Sequence, residues 1–168
     1  MNKTLKLCTI ATIGLLALAV SARAQLSIGD SIAGFITTNA AVDVEAFRGM
    51  TGDKDIVAFT YAKDITTNAA VLLTYDRAFT PSHSSDFESD QLTGGLNLNT
   101  TVKWFTLGGY EEAGTITSGK NDGSPVNVLG AYVDYRYKNL EVGILYQNRV
   151  ESDLYKGNYI GGHVGWRF

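Results

Sequence analysis

Beyond residue 24, large apolar residues alternate with polar or small ones along the chain. The alternation is clear in residues 129–137, 140–147 and 159–168. Successive side chains of a β-strand point to opposite faces, so this period of two predicts strands with one apolar face. No segment past the N terminus shows helical periodicity or an apolar run near 18 residues. The pattern therefore predicts an all-β protein.

An exact seven-residue repeat organises the N-terminal half. The sequence Ile-Thr-Thr-Asn-Ala-Ala-Val occupies residues 36–42 and returns at residues 65–71. This spacing fits two membrane-crossing strands of about 10 residues each, together with their connections. The repeat predicts two strands that start at the same rim and run in the same direction. The alternative is a coincidence in a sequence rich in threonine and alanine.

Short and long connections alternate along the chain. Tight turns are predicted at residues 63–65, 99–101 and 138–139, and longer polar loops at 48–55, 80–91, 112–125 and 148–157. Strands are predicted near residues 36–47, 56–63, 66–79, 92–99, 101–111, 126–138, 140–147 and 158–168. An even strand count with short turns on one rim is typical of outer-membrane barrels. We therefore predict an eight-stranded antiparallel up-and-down transmembrane β-barrel over residues 36–168, with both of its ends on the periplasmic, short-turn side.

The first 24 residues have the features of a cleaved export signal. Lys3 and Lys6 precede an apolar run at residues 7–20, and Ala22 and Ala24 form a small-x-small cleavage site. The run is shorter than the roughly 20 residues of a membrane-spanning helix, although a retained anchor is the alternative. Cys8 lies inside the signal rather than at a cleavage point, which argues against a lipoprotein. Residues 25–35 are predicted to be a periplasmic N-terminal segment.

Composition narrows the classes of partner and cofactor. The 18 glycines and only 2 prolines favour strands over helices. The predicted signal holds three basic residues and no acidic one, so its removal changes the formal charge from −3 to −6. An acidic chain argues against nucleic acid as a partner, because phosphate binding needs a clustered basic patch. No cysteine remains after cleavage, so a disulfide or a thiolate metal site is excluded, and no cofactor is predicted.

Charged residues on the strands fall opposite the apolar stripe. An arginine facing lipid at mid-depth costs about 2–4 kcal/mol, so a membrane barrel places these residues in its lumen. There they can pair with one another and with His163, and side chains just fill a lumen of eight strands. A soluble barrel with these charges on its outside is the alternative. The predicted lumenal charge network comprises Asp43, Glu45, Asp76, Asp134, Arg136, Glu141, Arg149 and Arg167.

Aromatic residues cluster near strand ends on the apolar faces. Rings at headgroup depth form two girdles around membrane barrels. The strands near residues 56–63 and 101–111 have an open register, because Phe105 and Leu107 compete with Trp104 and Tyr110 for the lipid side. The predicted girdles are Trp104, Tyr135, Tyr137, Trp166 and Phe168 towards the short-turn rim, and Tyr75, Tyr110 and Tyr146 towards the long-loop rim.

The last eight residues, Gly-Gly-His-Val-Gly-Trp-Arg-Phe, resemble the closing strand of the small OmpX/Ail and OmpA-like outer-membrane barrels. The resemblance implies a location in the outer membrane of a Gram-negative bacterium, among lipid and lipopolysaccharide. It also implies roles in adhesion, envelope integrity or resistance to host defences. By position, the signal read by the outer-membrane assembly machinery would be Ile160, Val164, Trp166 and Phe168, with Gly162 departing from the apolar pattern.

Candidate catalytic and metal-binding residues are confined to one loop. His83, Ser84, Ser85 and Asp86 are the residue types of Ser–His–acid catalysis, but they follow one another in a polar loop without rigid support. The alternating residues Asp86, Glu88 and Asp90 could supply oxygen ligands to Ca²⁺, but the EF-hand glycine and distal glutamate are missing.

We therefore predict a barrel that is not an enzyme and has no metal site, with His163 as a hydrogen-bonding residue of the lumen. Its expected role is structural, or recognition of a surface ligand through the loops. The alternatives are a small-solute channel and a soluble periplasmic ligand-binding barrel.

Overall fold

The computed structural model describes residues 38–50, 54–80, 87–119, 121–150 and 156–168, without the side chains at positions 87 and 88. Within these ranges, no helix is long and apolar enough to cross a membrane. The predicted cleavage site at Ala22 and Ala24 and the segment 25–35 lie outside the described residues.

Eight antiparallel strands form a single closed barrel in which each strand pairs with its neighbours in sequence and the last pairs with the first. The predicted all-β, eight-stranded up-and-down barrel is thereby confirmed. The strands are β1 (Ala40–Gly49), β2 (Asp55–Thr66), β3 (Ala69–Phe79), β4 (Phe87–Val102), β5 (Phe105–Gly119), β6 (Pro125–Tyr137), β7 (Leu140–Arg149) and β8 (Gly157–Arg167).

The pairing register staggers the strands around the ring. Following paired residues from Ala40 of β1 through the other seven strands leads to Asn158 of β8. The carbonyl of Asn158 accepts a hydrogen bond from the Met50 amide, so the circuit returns to the chain ten positions beyond its start. Such a stagger requires strands tilted from the barrel axis, by about 35–45° in barrels of this type.

Two-residue turns lie at one rim, here called the turn rim, at residues 67–68, 103–104 and 138–139. Longer connections of five to seven residues lie at the other, the loop rim, at 50–54, 80–86, 120–124 and 150–156. The turn predicted at 138–139 is confirmed. The turns predicted at 63–65 and 99–101 are wrong, because β2 continues to Thr66 and β4 to Val102. Lys103 and Lys138 adopt left-handed backbone conformations (φ of 59° and 56°) that let two residues reverse the chain.

The repeat marks equivalent places in the barrel. Its last three residues begin β1 in the first copy and β3 in the second, so both strands start at the turn rim, as predicted. The first strand begins at Ala40 rather than at 36, because residues 38–39 form a turn in which Asn39 has a φ of 51°. The backbone carbonyl of each repeat asparagine accepts a hydrogen bond from a backbone amide. Asn39 accepts from Asp64 of β2, and Asn68 accepts from Asn99 of β4.

Polarity is reversed relative to a soluble barrel. Polar and charged residues that include Asp76, Gln91 and Arg149 are buried inside, whereas large apolar residues cover the outside. This is the polarity of a transmembrane barrel; a soluble barrel is apolar inside. Exposed apolar residues of the outer face include Val44, Leu73, Leu98, Leu107, Leu129, Ile144 and Val164.

The structure shows which residues of β2 and β5 face inward and which face outward. In β2, Ile56, Ala58, Thr60 and Ala62 face inward, and in β5 the exposed Phe105 and Leu107 face outward. One predicted girdle position, Tyr110, is therefore wrong, whereas Trp104 is exposed at the turn rim as predicted. Tyr110 is buried in the lumen, where its ring covers inward-facing Gly130 of β6. Trp104 lies in the turn between β4 and β5. The other described members of the predicted turn-side girdle on strands, Tyr135, Tyr137 and Trp166, are exposed.

Candidate functional site: the lumen

The lumen near the turn rim holds a branched set of ion pairs. Arg136 and Arg167 both donate to Oε1 of the buried Glu141, from Nε atoms at 2.5 and 3.2 Å. Arg167 also reaches Asp64, with Nη1 2.5 Å from Oδ2. These charges come from β2, β6, β7 and β8. Glu141 thus partly neutralises both Arg136 and Arg167, and Arg167 also binds Asp64.

Next to this set, His163 lies between two aspartates. Its Nε2 is 2.7 Å from Asp134 Oδ1, and its Nδ1 is 3.4 Å from Asp43 Oδ1. Carboxylates facing both ring nitrogens suit the imidazolium form, in which both nitrogens carry protons. Glycines make the space: a Cβ at Gly143 would lie 2.0 Å from Asp134 Oδ1, and one at Gly165 would lie 1.7 Å from Asp43 Oδ1.

Near the loop rim, one ion pair spans the barrel. Arg149 Nη2 lies 2.9 Å from Asp76 Oδ2, and Arg149 Nη1 donates to Gln91 Oε1 at 2.5 Å. Both charged side chains are almost fully buried, at 2% and 1% exposure. Arg149 is on β7 and Asp76 on β3, four strands away around a ring of eight, so the pair crosses the full width of the lumen.

Apolar side chains pack inside the barrel near the loop rim. They lie at the loop-side ends of their strands and belong to one buried cluster. They form an apolar layer near the charged layer of Arg149 and Asp76. This apolar plug comprises Phe47, Ile56, Ile116, Val126 and Tyr159.

Between the turn-rim ion pairs and the Arg149–Asp76 pair, two glutamates are joined by threonines. Thr60 donates to Glu45 Oε1 at 2.7 Å, and Thr74 donates to Glu112 Oε1 at 2.5 Å. The two hydroxyl oxygens are 3.1 Å apart, and Thr93 donates to Glu112 Oε2 at 3.0 Å. All five side chains are buried.

A cavity of about 60 Å³ lies among these groups. Its wall includes Glu45, Thr60, Thr74, Glu112 and His163, so it is polar enough to hold a few water molecules. Among the described residues, no group of three or more His, Cys, Asp or Glu side chains is placed to hold a metal ion.

The predicted charge network divides into separate sets. Arg136, Glu141 and Arg167 come together at the turn rim, and Asp76 and Arg149 near the loop rim. Asp43 and Asp134 both contact His163 rather than an arginine. Glu45 accepts a hydrogen bond from the Thr60 hydroxyl.

Sequence reasoning missed several lumenal residues. The sequence predicts Glu112 in a loop and Asp64 in a turn, because the predicted strands are shorter than the observed ones. The inward positions of β5 continue from Tyr110 through Glu112 to Ile116. Extending the alternation in both directions would have found Glu112. The polar partners Thr60, Thr74, Gln91 and Thr93 share the inward face of their strands with the charges.

The residues of the expected assembly signal share one face of the barrel. Ile160, Val164 and Trp166 of β8 are exposed on the outside. Phe168 follows the strand, and its amide donates to the Ala40 carbonyl of β1 at 2.8 Å.

The loop candidates are only partly described. His83, Ser84, Ser85 and Asp86 lie outside the described residues, as does the Glu88 side chain. Asp90 is described and lies on the outer face, where both of its oxygens contact Arg77, at 2.5 and 2.9 Å. Its Oδ2 also accepts from the Ser118 hydroxyl at 2.8 Å.

Comparison with known proteins bears on the fold. A solved structure from the de novo design of transmembrane β-barrels matches with a TM-score of 0.56 at 16% sequence identity, over 77% of this chain and 95% of the designed one. No protein-family model matches the sequence, and neither does any curated protein. The likeness shows the fold of a small eight-stranded β-barrel and does not single out the OmpX/Ail or OmpA-like type.

Proposed function

We propose that this chain is an outer-membrane β-barrel of a Gram-negative bacterium, with a structural or surface-interaction role and a lumen closed by its own side chains. The observation that carries the proposal is the polarity across the barrel wall. Leu98 and Ile144 are exposed on the outside, whereas Asp76 and Arg149 are buried within. That distribution suits a hydrocarbon exterior and a short polar interior.

The contacts across the lumen support its closure. The Arg149–Asp76 pair joins opposite strands, and the apolar plug lies at the same end of the barrel. A hydrated solute would have to separate a buried ion pair, which leaves each charge without its partner. Separating such a pair costs several kcal/mol. We therefore expect little conductance.

Planar-bilayer recording tests the closed lumen. The purified protein is expected to give no stable porin-sized steps. The double substitution Asp76→Ala with Arg149→Ala should raise the conductance above that of the unmodified protein, because it removes one of the side-chain layers that close the lumen. The matched control is Arg77→Ala with Asp90→Ala, which removes an equally charged pair from the outer face and should change nothing. Porin-sized steps in the unmodified protein would contradict closure and favour the small-solute channel.

Cell fractionation and a deletion strain test the location and the role. We expect the protein in the outer-membrane fraction, with changed envelope integrity or adhesion when the gene is deleted and with unchanged lipid A. Recovery in the periplasm would support the soluble ligand-binding alternative. Altered lipid A would point to an enzyme. Replacing the exposed Trp166 and terminal Phe168 by alanine should reduce the amount assembled, as expected if these residues are read by the assembly machinery.

A further inference from the structure

The threonine-linked glutamates lie at mid-height in the lumen. Glu45, Thr60 and Thr74 each occupy the middle of their strand, on β1, β2 and β3, which are consecutive neighbours. Glu112 reaches the same point from β5. Four side chains thus form one continuous row of oxygen contacts: Glu45 to Thr60 at 2.7 Å, Thr60 to Thr74 at 3.1 Å and Thr74 to Glu112 at 2.5 Å.

A count of protons shows that this row is incomplete with two ionised carboxylates. Three contacts need three protons, one for each hydrogen bond. A threonine hydroxyl has one proton, and an ionised carboxylate has none. Thr60 and Thr74 therefore supply two protons between them. If both are given to the glutamates, the two hydroxyl oxygens face each other at 3.1 Å with no proton between them. Within the row itself, only Glu45 or Glu112 can carry the third proton.

The surrounding charges favour the same result. Each basic side chain in the cavity wall has an acidic partner other than these two: Arg149 has Asp76, His163 has Asp43 and Asp134, and Arg136 and Arg167 have Glu141. Two carboxylates in one site disfavour double ionisation. The titratable or charged groups that face the cavity beside Glu45 and Glu112 are Asp43 of β1, Tyr110 of β5, Tyr132, Asp134 and Arg136 of β6, Glu141 and Arg149 of β7, and His163 and Arg167 of β8. Asp76 of β3, the partner of Arg149, also acts on Glu112 from the loop side, whereas β2 and β4 present no such group in the cavity wall.

We propose that Glu45 and Glu112 share a single proton through Thr60 and Thr74, which makes the centre of the lumen a proton-binding site. With the proton on Glu45, that acid donates to Thr60, Thr60 to Thr74, and Thr74 to ionised Glu112. Transfer moves three protons one step each. Glu45 gives its proton to Thr60, Thr60 gives its own to Thr74, and Thr74 gives its own to Glu112. Both hydroxyls are restored, and the row keeps one negative charge. The inference goes beyond the proposed surface role and does not depend on it.

Infrared spectroscopy of the folded protein in detergent micelles at neutral pH tests the site through the C=O stretch of a protonated carboxyl group. The Glu111→Gln protein serves as the background, because Glu111 is exposed on the outer face and can take up a proton in a micelle. We expect a band equivalent to one carboxylic acid. It should disappear when either Glu45→Gln or Glu112→Gln is added. The amide of the new glutamine supplies the third proton permanently, so the remaining carboxylate stays ionised.

The matched control is Glu141→Gln. This lumenal glutamate is held by two arginines, so its replacement should leave the band unchanged. A missing band in the background protein overturns the proposal, and so does a band that survives both substitutions. Loss in only one of the two variants also overturns it, because that result describes an isolated acid rather than a shared proton. If a glutamine variant does not fold, the background protein decides alone: one carboxylic acid supports the site, and none or two contradict it.

Discussion

Charged side chains of the lumen are tolerated there as members of ion pairs. Arg149 and Asp76 are the most deeply buried example, because protein surrounds both groups and excludes water. A buried pair of this kind contributes little relative to apolar residues of the same size, but it is costly to break. The pair therefore defines which residues can be replaced together and which cannot be replaced singly.

Replacing Arg149 by methionine should lower the free energy of unfolding by about 3–5 kcal/mol, because Asp76 is left charged and alone in a dry environment. Urea-induced unfolding of the barrel in micelles measures the effect. The double substitution Asp76→Leu with Arg149→Met is the control and should be less destabilised than the single one. Equal or larger destabilisation of the double variant would contradict this account.

Gly165 is required by what lies opposite it. A methyl group there would lie 1.7 Å from Asp43 Oδ1 and would displace the carboxylate that faces His163. We expect Gly165→Ala to lower the free energy of unfolding by about 1–3 kcal/mol, as overpacking does. Gly94→Ala is the control, because a methyl group there meets nothing nearer than 3.7 Å. Similar losses in both variants would mean that backbone freedom, and not the fit against Asp43, makes glycine necessary.

Among the strands, β5 shows what alternation predicts and where it fails. The sequence predicts a strand that ends at residue 111, because Glu111 and Glu112 together look like the start of a polar loop. In the structure the strand continues to Gly119, with Glu111 exposed on the outside and Glu112 buried inside. Adjacent charges on opposite faces cannot be told from a loop when the two ends of the strand are unknown. The outward position predicted for Tyr110 is wrong, because Phe105 and Leu107 occupy the lipid-facing side of β5.

The outer face of β7 provides a test of the membrane environment. Ile144 is 65% exposed there, and replacing it by arginine should destabilise the barrel in lipid vesicles by about 2–4 kcal/mol. The same substitution at Thr117, near the loop-rim end of β5, should cost about 0–1 kcal/mol, because arginine can reach the headgroups there. Unfolding in vesicles measures both. An Ile144→Arg protein as stable as the unmodified one would indicate that this face contacts water.

For the molecule as a whole, the sequence predicted the barrel better than the connections inside it. Strand number, direction and the division of the rims follow from local patterns. The lumenal contacts do not, because they join residues far apart in the chain, such as Arg167 with Asp64 and Arg149 with Asp76. The alternation along each strand shows that these side chains face inward. Which of them meet depends on the stagger of the strands around the whole ring.

Closure of the ring predicts heat-modifiable mobility on a detergent gel. The unboiled protein should migrate at a different position from the boiled one, because every strand is paired on both sides and no edge is open to the detergent. Boiling should convert the first species to the second. Identical migration with and without boiling would count strongly against a stable membrane barrel. A water-soluble sample before detergent is added would point to the soluble alternative.

Pairing between β1 and β8 has a consequence for the order of folding. Seven of the eight strand pairings join neighbours in sequence, whereas this seam joins the two ends of the barrel. Contacts between distant residues carry the largest loop-closure entropy and form late. Pairing at this seam is therefore expected to be the rate-limiting step, after the hairpins have assembled into a curved sheet with two unpaired edge strands. Because β8 forms one of those edges, a nascent chain cannot close the native ring before β8 has emerged.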